Sequence, residues 1–220
     1  MKWESNGFFR TGDDFMSLFG KKKCCACGEN IGAFYRKKLP CGFICEKCSH
    51  QISPLVKYTK FTEVEKLKEH LEYRKESSEL LENFQITRII GEKERIVIDD
   101  KNKLVLFATE GDKWTKYQPD VIHFDQITGF DEYIEVIDSG DYYESSEGIE
   151  NEVPKGYVSC NFSFILTIDS PWFSVMPIQI NRDELITDDI DSAEYRKYKE
   201  MLDEVKETFR PYYRSERKIS

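Results

Sequence analysis

Two Cys-x-x-Cys pairs, Cys24/Cys27 and Cys45/Cys48, stand on either side of residues 28–44, and no other feature restricts the chain as much. Two cysteines three apart on a tight turn can aim both sulfurs at one ion, and two such knuckles complete a tetrahedron. Gly28, directly after Cys27, supplies the backbone freedom that the turn needs. A segment of about 30 residues cannot bury a sizeable core, so a bound metal is expected to supply much of its folding energy. Four thiolates leave no open coordination position, which points to a structural zinc and away from a catalytic one. An iron–sulfur cluster, which also takes four thiolates, is the alternative.

The expected ligands are therefore Cys24, Cys27, Cys45 and Cys48. Cys25 lies inside the first knuckle and Cys41 lies four residues before Cys45; either can substitute as a ligand, although their C-x-C and C-x-x-x-C spacings suit a knuckle less well. His50, two residues past Cys48, is a further candidate replacement for a sulfur. Cys160 alternates with polar residues in a strand pattern and reads as a small core residue.

Around this segment the chain divides into a polar extension at 1–15, a four-cysteine module at 16–53, a helical connector at 54–84 and a body at 85–213. In the connector, Thr62 with Glu65 has the form of a capping box, and Val64, Leu67, Leu71, Leu80 and Leu81 recur at helical spacing around a polar patch at 75–78, as one interrupted helix or two short ones. In the body the signal changes to strands from about residue 86, with strands expected near 96–98, 104–107, 121–124, 127–137, 157–168 and 173–180. The clearest is 157–168, where Cys160, Phe162, Phe164, Leu166 and Ile168 alternate with polar neighbours. Residues 138–155, rich in carboxylates, read as a solvated loop. The chain closes with a helix that Asp191 is expected to cap, with a stripe of Tyr195, Tyr198, Leu202, Val205 and Phe209, stopped by Pro211. About seven antiparallel strands and one terminal helix make an α+β body, a short-stranded barrel or sandwich plugged at one end.

The segment MSLFGKKKCCACGENIGAFYRKKLPCGFICEKCSHQISP resembles an uncharacterised bacterial four-cysteine domain known by its CG and DG motifs. CG is Cys27-Gly28; where the second motif carries an acid before glycine, this chain has Cys41-Gly42. Downstream, TEVEKLKEHLEYR, NFQITRIIG and IHFDQITGF are also similar to that family. The resemblance implies a zinc-ribbon-like module followed by a pleckstrin-homology-like (PH-like) domain of seven strands in two near-orthogonal sheets with a C-terminal helix. It implies an architecture and no activity.

Function is less legible. The N-terminal MKWESNGFFR lacks the apolar stretch of a secretory signal, and no apolar run approaches the roughly 20 residues of a membrane span, so a cytoplasmic protein is expected. There the cysteines serve metal or redox chemistry before disulfides. The formal net charge is −9 over 220 residues, yet residues 1–60 hold 11 Lys/Arg against 5 Asp/Glu, leaving 21 against 36 in the rest. The three histidines, His50, His70 and His123, fall in three elements with no nucleophile motif nearby, and no phosphate-binding or zinc-protease motif is present, so no enzyme is expected. Asp99 and Asp100 read as turn residues, and Trp114 and Trp172 as anchors at loops or strand ends. The expectation is a non-catalytic interaction or adaptor protein with a protein partner. The alternatives are nucleic-acid binding through Lys21, Lys22, Lys23, Arg36, Lys37, Lys38 and Lys47 with Phe34, Tyr35 and Phe43, and, last, lipid binding by the PH-like body, which lacks a basic cluster.

Overall fold

A computed structural model describes residues 22–32, 36–109, 118–144, 148 and 150–214. The 1–15 extension, Lys21, Phe34, Tyr35 and Trp114 lie outside the described residues. The chain forms two compact units, 1–72 and 73–220, the division falling between Glu72 and Tyr73.

In the first unit, β1 (Lys22–Lys23) pairs with β2 (Asn30–Ile31) and β3 (Arg36–Leu39) with β4 (Gly42–Cys45), both antiparallel. The one-turn helix α1 (Glu46–Ser49) follows, then a 3₁₀ turn (Tyr58–Lys60) and the start of α2 (Val64–Glu82). Ile31, Leu39, Ile44, Ile52, Val56, Phe61 and Leu67 are all buried. The cysteine segment is tied to the residues beyond it by the amide of Cys41, which donates to the Phe61 carbonyl at 3.0 Å. His70, fully buried, accepts at Nε2 from the Ser53 amide (3.1 Å), with its ring 5.2 Å from that of Phe61.

α2 is one continuous helix, and the polar patch at 75–78 does not interrupt it. Its first helical residue is Val64, with Leu67 donating to the Glu63 carbonyl, so it begins one residue later than a Thr62 cap would place it. Its buried positions include His70, Arg74 and Ser77, three polar side chains that the leucine spacing does not reveal.

The second unit contains two four-stranded sheets. The first is the meander β5 (Arg88–Ile90), β6 (Glu94–Asp99), β7 (Leu104–Thr109), β8 (Val121–His123). The second centres on β12 (Val158–Ile168), which pairs along its length with β9 (Ile127–Ile137) on one side. Its other side is shared by β13 (Val175–Gln179) and β14 (Leu185–Thr187). The expected mix of antiparallel strands and helix is present, as several separate sheets, and no closed barrel forms among the described residues. At the corner where β6 meets β13, a ladder is replaced by separate bonds: Gln179 N–H donates to the Glu94 carboxylate (2.6 Å) and Glu92 N–H to the Ile180 carbonyl (2.8 Å). The short β14 was not expected. Between β13 and β14, fully buried Asn181 bonds to β12, accepting from Phe162 N–H (2.8 Å) and donating to the Cys160 carbonyl (3.3 Å). The acidic segment at 138–155 likewise contains a hairpin, β10 (Tyr142–Glu144) with β11 (Glu150–Glu152).

The alternation in β12 puts Cys160, Phe162, Phe164, Leu166 and Ile168 in the core. Helix α3 (Ala193–Phe209) covers them: the Phe162 ring lies 5.0 Å from Tyr195 and 5.2 Å from Tyr198, and Leu202, Val205 and Phe209 are fully buried. Its cap is Ser192, whose hydroxyl accepts from Tyr195 N–H, the third residue of the first turn; the expected cap, Asp191, instead gives its own amide to Asp189. The second half of α2 is fastened to the residues before β8. Arg74 pairs with Asp120 at 2.7 Å, the side chains 4% and 1% exposed, and also donates to the Gln118 carbonyl. Ser77 Oγ accepts from Val121 N–H at 2.8 Å. Leu80, Leu81 and Phe84 pack on buried Val97, Leu104, Leu106 and Val121. Among the described residues, no helix is long and apolar enough to cross a membrane.

Candidate metal centre

The two hairpins of the first unit bring the knuckles together by ordinary backbone chemistry. Cys24 follows β1, and its carbonyl accepts from Gly28 N–H while its amide donates to Glu29, each at 2.8 Å, closing a turn that Gly28 completes at φ +77°. A side chain is strained at that angle, so glycine is the residue that suits. The second knuckle is the junction of β4 and α1, where Cys45 is the N-cap and Cys48 lies in the helical turn.

The sulfurs of Cys24, Cys27, Cys45 and Cys48 all lie within 4.8 Å of one another, with Cys27 and Cys45 at 3.8 Å. A tetrahedral ion with metal–sulfur bonds of about 2.3 Å sets its ligand sulfurs about 3.8 Å apart, so the group fits a single ion with small adjustments. Backbone amides already point at the sulfurs: Cys45 N–H donates to Cys24 Sγ (3.4 Å) and Cys48 N–H to Cys45 Sγ (3.5 Å). Such donors stabilise thiolates, the form that binds metal.

The electrostatics agree. Burial pushes the Cys24 thiol up, but the amides of Cys27, Cys45 and Ala26 outweigh it and hold the pKa down at about 6. For Cys48, burial and the adjoining sulfurs of Cys45 and Cys27 act together and raise it strongly. At Cys27 the Glu29 amide lowers the pKa, but burial and the thiols of Cys24 and Cys45 carry it above the ordinary value. One thiolate is favoured and its neighbours are opposed by crowding, a balance that a bound cation reverses.

The remaining sequence candidates separate from this group. His50 is exposed, follows α1, and is not among the four. Cys160 is fully buried in β12, its pKa raised by burial. Cys25 and Cys41 lie outside the four and have their sulfurs 3.9 Å apart from each other. No spacing rule shows that pairing, because it depends on the turn of β3 into β4. His123 is exposed and caps a 3₁₀ turn (Phe124–Gln126), and Asp99 accepts from Lys101 and Asn102 amides inside its own turn.

Beside α1 is an open groove of about 580 Å³ lined by residues including Lys37, His50, Pro54, Lys57 and Tyr58. Lys37 lies 5.5 Å above the Tyr58 ring and donates to its hydroxyl at 3.3 Å. Lys22 sits 5.3 Å over Phe43. A hollow of about 570 Å³ in the second unit, lined by Tyr133, Asn161, Ser163, Ile165, Pro177 and Gln179 among others, opens on the outer face of β9, β12 and β13.

Residues 22–70 match the family model described as a domain of unknown function, DUF4428. Comparison with curated proteins and with solved structures gave no match.

Proposed function

We propose that this is a non-catalytic, zinc-holding interaction protein in which Cys24, Cys27, Cys45 and Cys48 ligate one structural Zn²⁺ and the module so fixed meets an acidic segment of a protein partner. The carrying observation is the set of four sulfurs within 4.8 Å, with amides already directed at two of them. Zinc is favoured over an iron–sulfur cluster because a cluster's irons and sulfides need room inside their four thiolates, and these sulfurs are spaced for one ion. A partner site is supported by the groove where Lys37, His50 and Lys57 border Tyr58 and Pro54. Cation and ring together suit a carboxylate-bearing, partly apolar segment.

The same surface supports a second reading, nucleic-acid binding, because Lys22 over Phe43 and Lys37 over Tyr58 place cations beside rings. Fluorescence anisotropy separates the two, using the full chain, labelled single-stranded and duplex oligonucleotides and a labelled glutamate-rich peptide at low and moderate salt. Binding of the peptide alone, weakened by Lys37→Glu with Lys57→Glu, supports the protein reading. Tight, steeply salt-dependent binding of the oligonucleotides supports the other. For the second unit we infer a PH-like body, supported by its order of a four-stranded meander, a sheet built on two long strands and a C-terminal helix. Its lipid role stays the least supported, since residues 61–220 hold 21 Lys/Arg against 36 Asp/Glu.

A further inference from the structure

A tetrahedral ion with four thiolates has no place for a fifth or sixth, yet this small module carries two more cysteines, and they are not scattered. Cys25 and Cys41, sixteen positions apart, set their sulfurs 3.9 Å from each other and stand outside the four-sulfur group. Both backbones are held in place: Cys25 N–H donates to the Phe43 carbonyl at 2.8 Å and Cys41 N–H to the Phe61 carbonyl at 3.0 Å. Gly42 gives the pair its room. It has φ +144°, and a Cβ there would stand 3.3 Å from the Cys25 Cβ and 3.8 Å from its sulfur. Each of the two cysteines is half-buried, open enough for a small oxidant.

We propose that Cys25 and Cys41 are a second cysteine site, distinct from the metal ligands, which a peroxide oxidant converts to a disulfide joining the first knuckle to the β3–β4 hairpin. In that step two S–H bonds and the peroxide O–O bond break, one S–S bond forms, and two waters leave. The thiols lose two electrons in total and the peroxide gains them. A disulfide has its sulfurs about 2.05 Å apart, so the two must approach by roughly 1.9 Å, a distance that rotation about their Cα–Cβ bonds can supply. The product links residues that backbone bonds already hold together, so the module is cross-linked without losing its four-thiolate site. This goes beyond the zinc reading and does not depend on which metal is bound.

The test uses the full-length protein as purified, treated with hydrogen peroxide, alkylated under denaturing conditions and digested with trypsin. Cleavage after Lys23, Arg36, Lys38 and Lys47 leaves Cys25 in peptide 24–36 and Cys41 in peptide 39–47. The expected product is these two peptides linked with the loss of two hydrogens, fragmentation placing the bond at Cys25 and Cys41, while Cys160 is alkylated. Metal content before and after oxidation is expected to be equal. Cys25→Ser and Cys41→Ser each abolish the link and keep the wild-type metal content; if serine at either position unfolds the module by circular dichroism, Cys25→Ala and Cys41→Ala serve instead. Three results overturn the proposal: a bond placed at Cys27 and Cys45, both Cys25 and Cys41 still alkylated when peroxide has begun to release metal, or loss of metal in folded Cys25 or Cys41 variants. A metal-free protein that still forms the Cys25–Cys41 bond sinks the zinc reading and supports this one.

Discussion

Replacing Asp120 by alanine leaves the Arg74 guanidinium in a buried site without its carboxylate. The pair is close, 2.7 Å, and its side chains are 4% and 1% exposed, so solvent cannot take over the lost interaction. Removing one member of a buried pair costs about 3–5 kcal/mol, most of it the penalty of the charge left behind. The Gln118 carbonyl still accepts from Arg74 and offsets a small part. Asp120→Asn, which keeps an oxygen acceptor in place, is expected to fall between Asp120→Ala and wild type. Arg74→Met with Asp120→Leu removes both charges and is expected to recover most of the loss. Urea unfolding followed by tryptophan fluorescence reads this directly, since Trp172 lies 6.1 Å from the ring of Tyr73, next to Arg74. At about 2–4 °C per kcal/mol for a chain of this size, the thermal midpoint should drop by roughly 6–20 °C. If Asp120→Ala unfolds within about 0.5 kcal/mol of wild type, the usual range for a surface substitution, then Arg74 and Asp120 do not act as a buried clamp.

Other outcomes follow from the same structure. Asn181→Ala strips Phe162 N–H of its acceptor where β12 changes partners, and chemical denaturation should show a loss of about 1–3 kcal/mol. Phe209→Ala opens a cavity beside Phe124, whose ring lies 5.0 Å away edge-on, and should cost about 3–5 kcal/mol in the same assay. The Arg88 guanidinium beside Asp100 holds that carboxyl down at about 2, below its ordinary value near 3.9. Because the folded-state pKa is the depressed one, the contribution is full above about pH 4 and is lost as pH falls toward 2. Asp100→Asn should therefore flatten the acid limb of the stability profile in that window and leave its shape near neutrality unchanged.

What the sequence made legible was local periodicity. β12 announces itself because five apolar residues alternate along one buried face, and α3 because its stripe repeats at helical spacing. The four cysteines could be grouped because knuckle spacing is itself a local property. The polar groups that the fold buries were not legible. Arg74 meets Asp120 across 46 positions and Asn181 meets Phe162 across 19, and neither partner carries a local mark. Ser192 displaced Asp191 as the cap because both suit that role and only the start of the helix decides. Barrel or sandwich stayed open for a similar reason: strand patterns count strands, but they carry no mark of the Gln179 amide meeting the Glu94 carboxylate across 85 positions.

The proposed function rests on Cys24, Cys27, Cys45 and Cys48 holding one metal ion, and on that ion being zinc. Inductively coupled plasma mass spectrometry on the full chain, with protein quantified by amino-acid analysis, tests it most directly. One zinc per chain and no matching iron are expected, with at least half of the zinc lost in Cys48→Ser and none in Cys160→Ser. A folded wild-type protein that takes up no metal, binds iron in zinc's place, or retains full zinc after Cys48→Ser would contradict it.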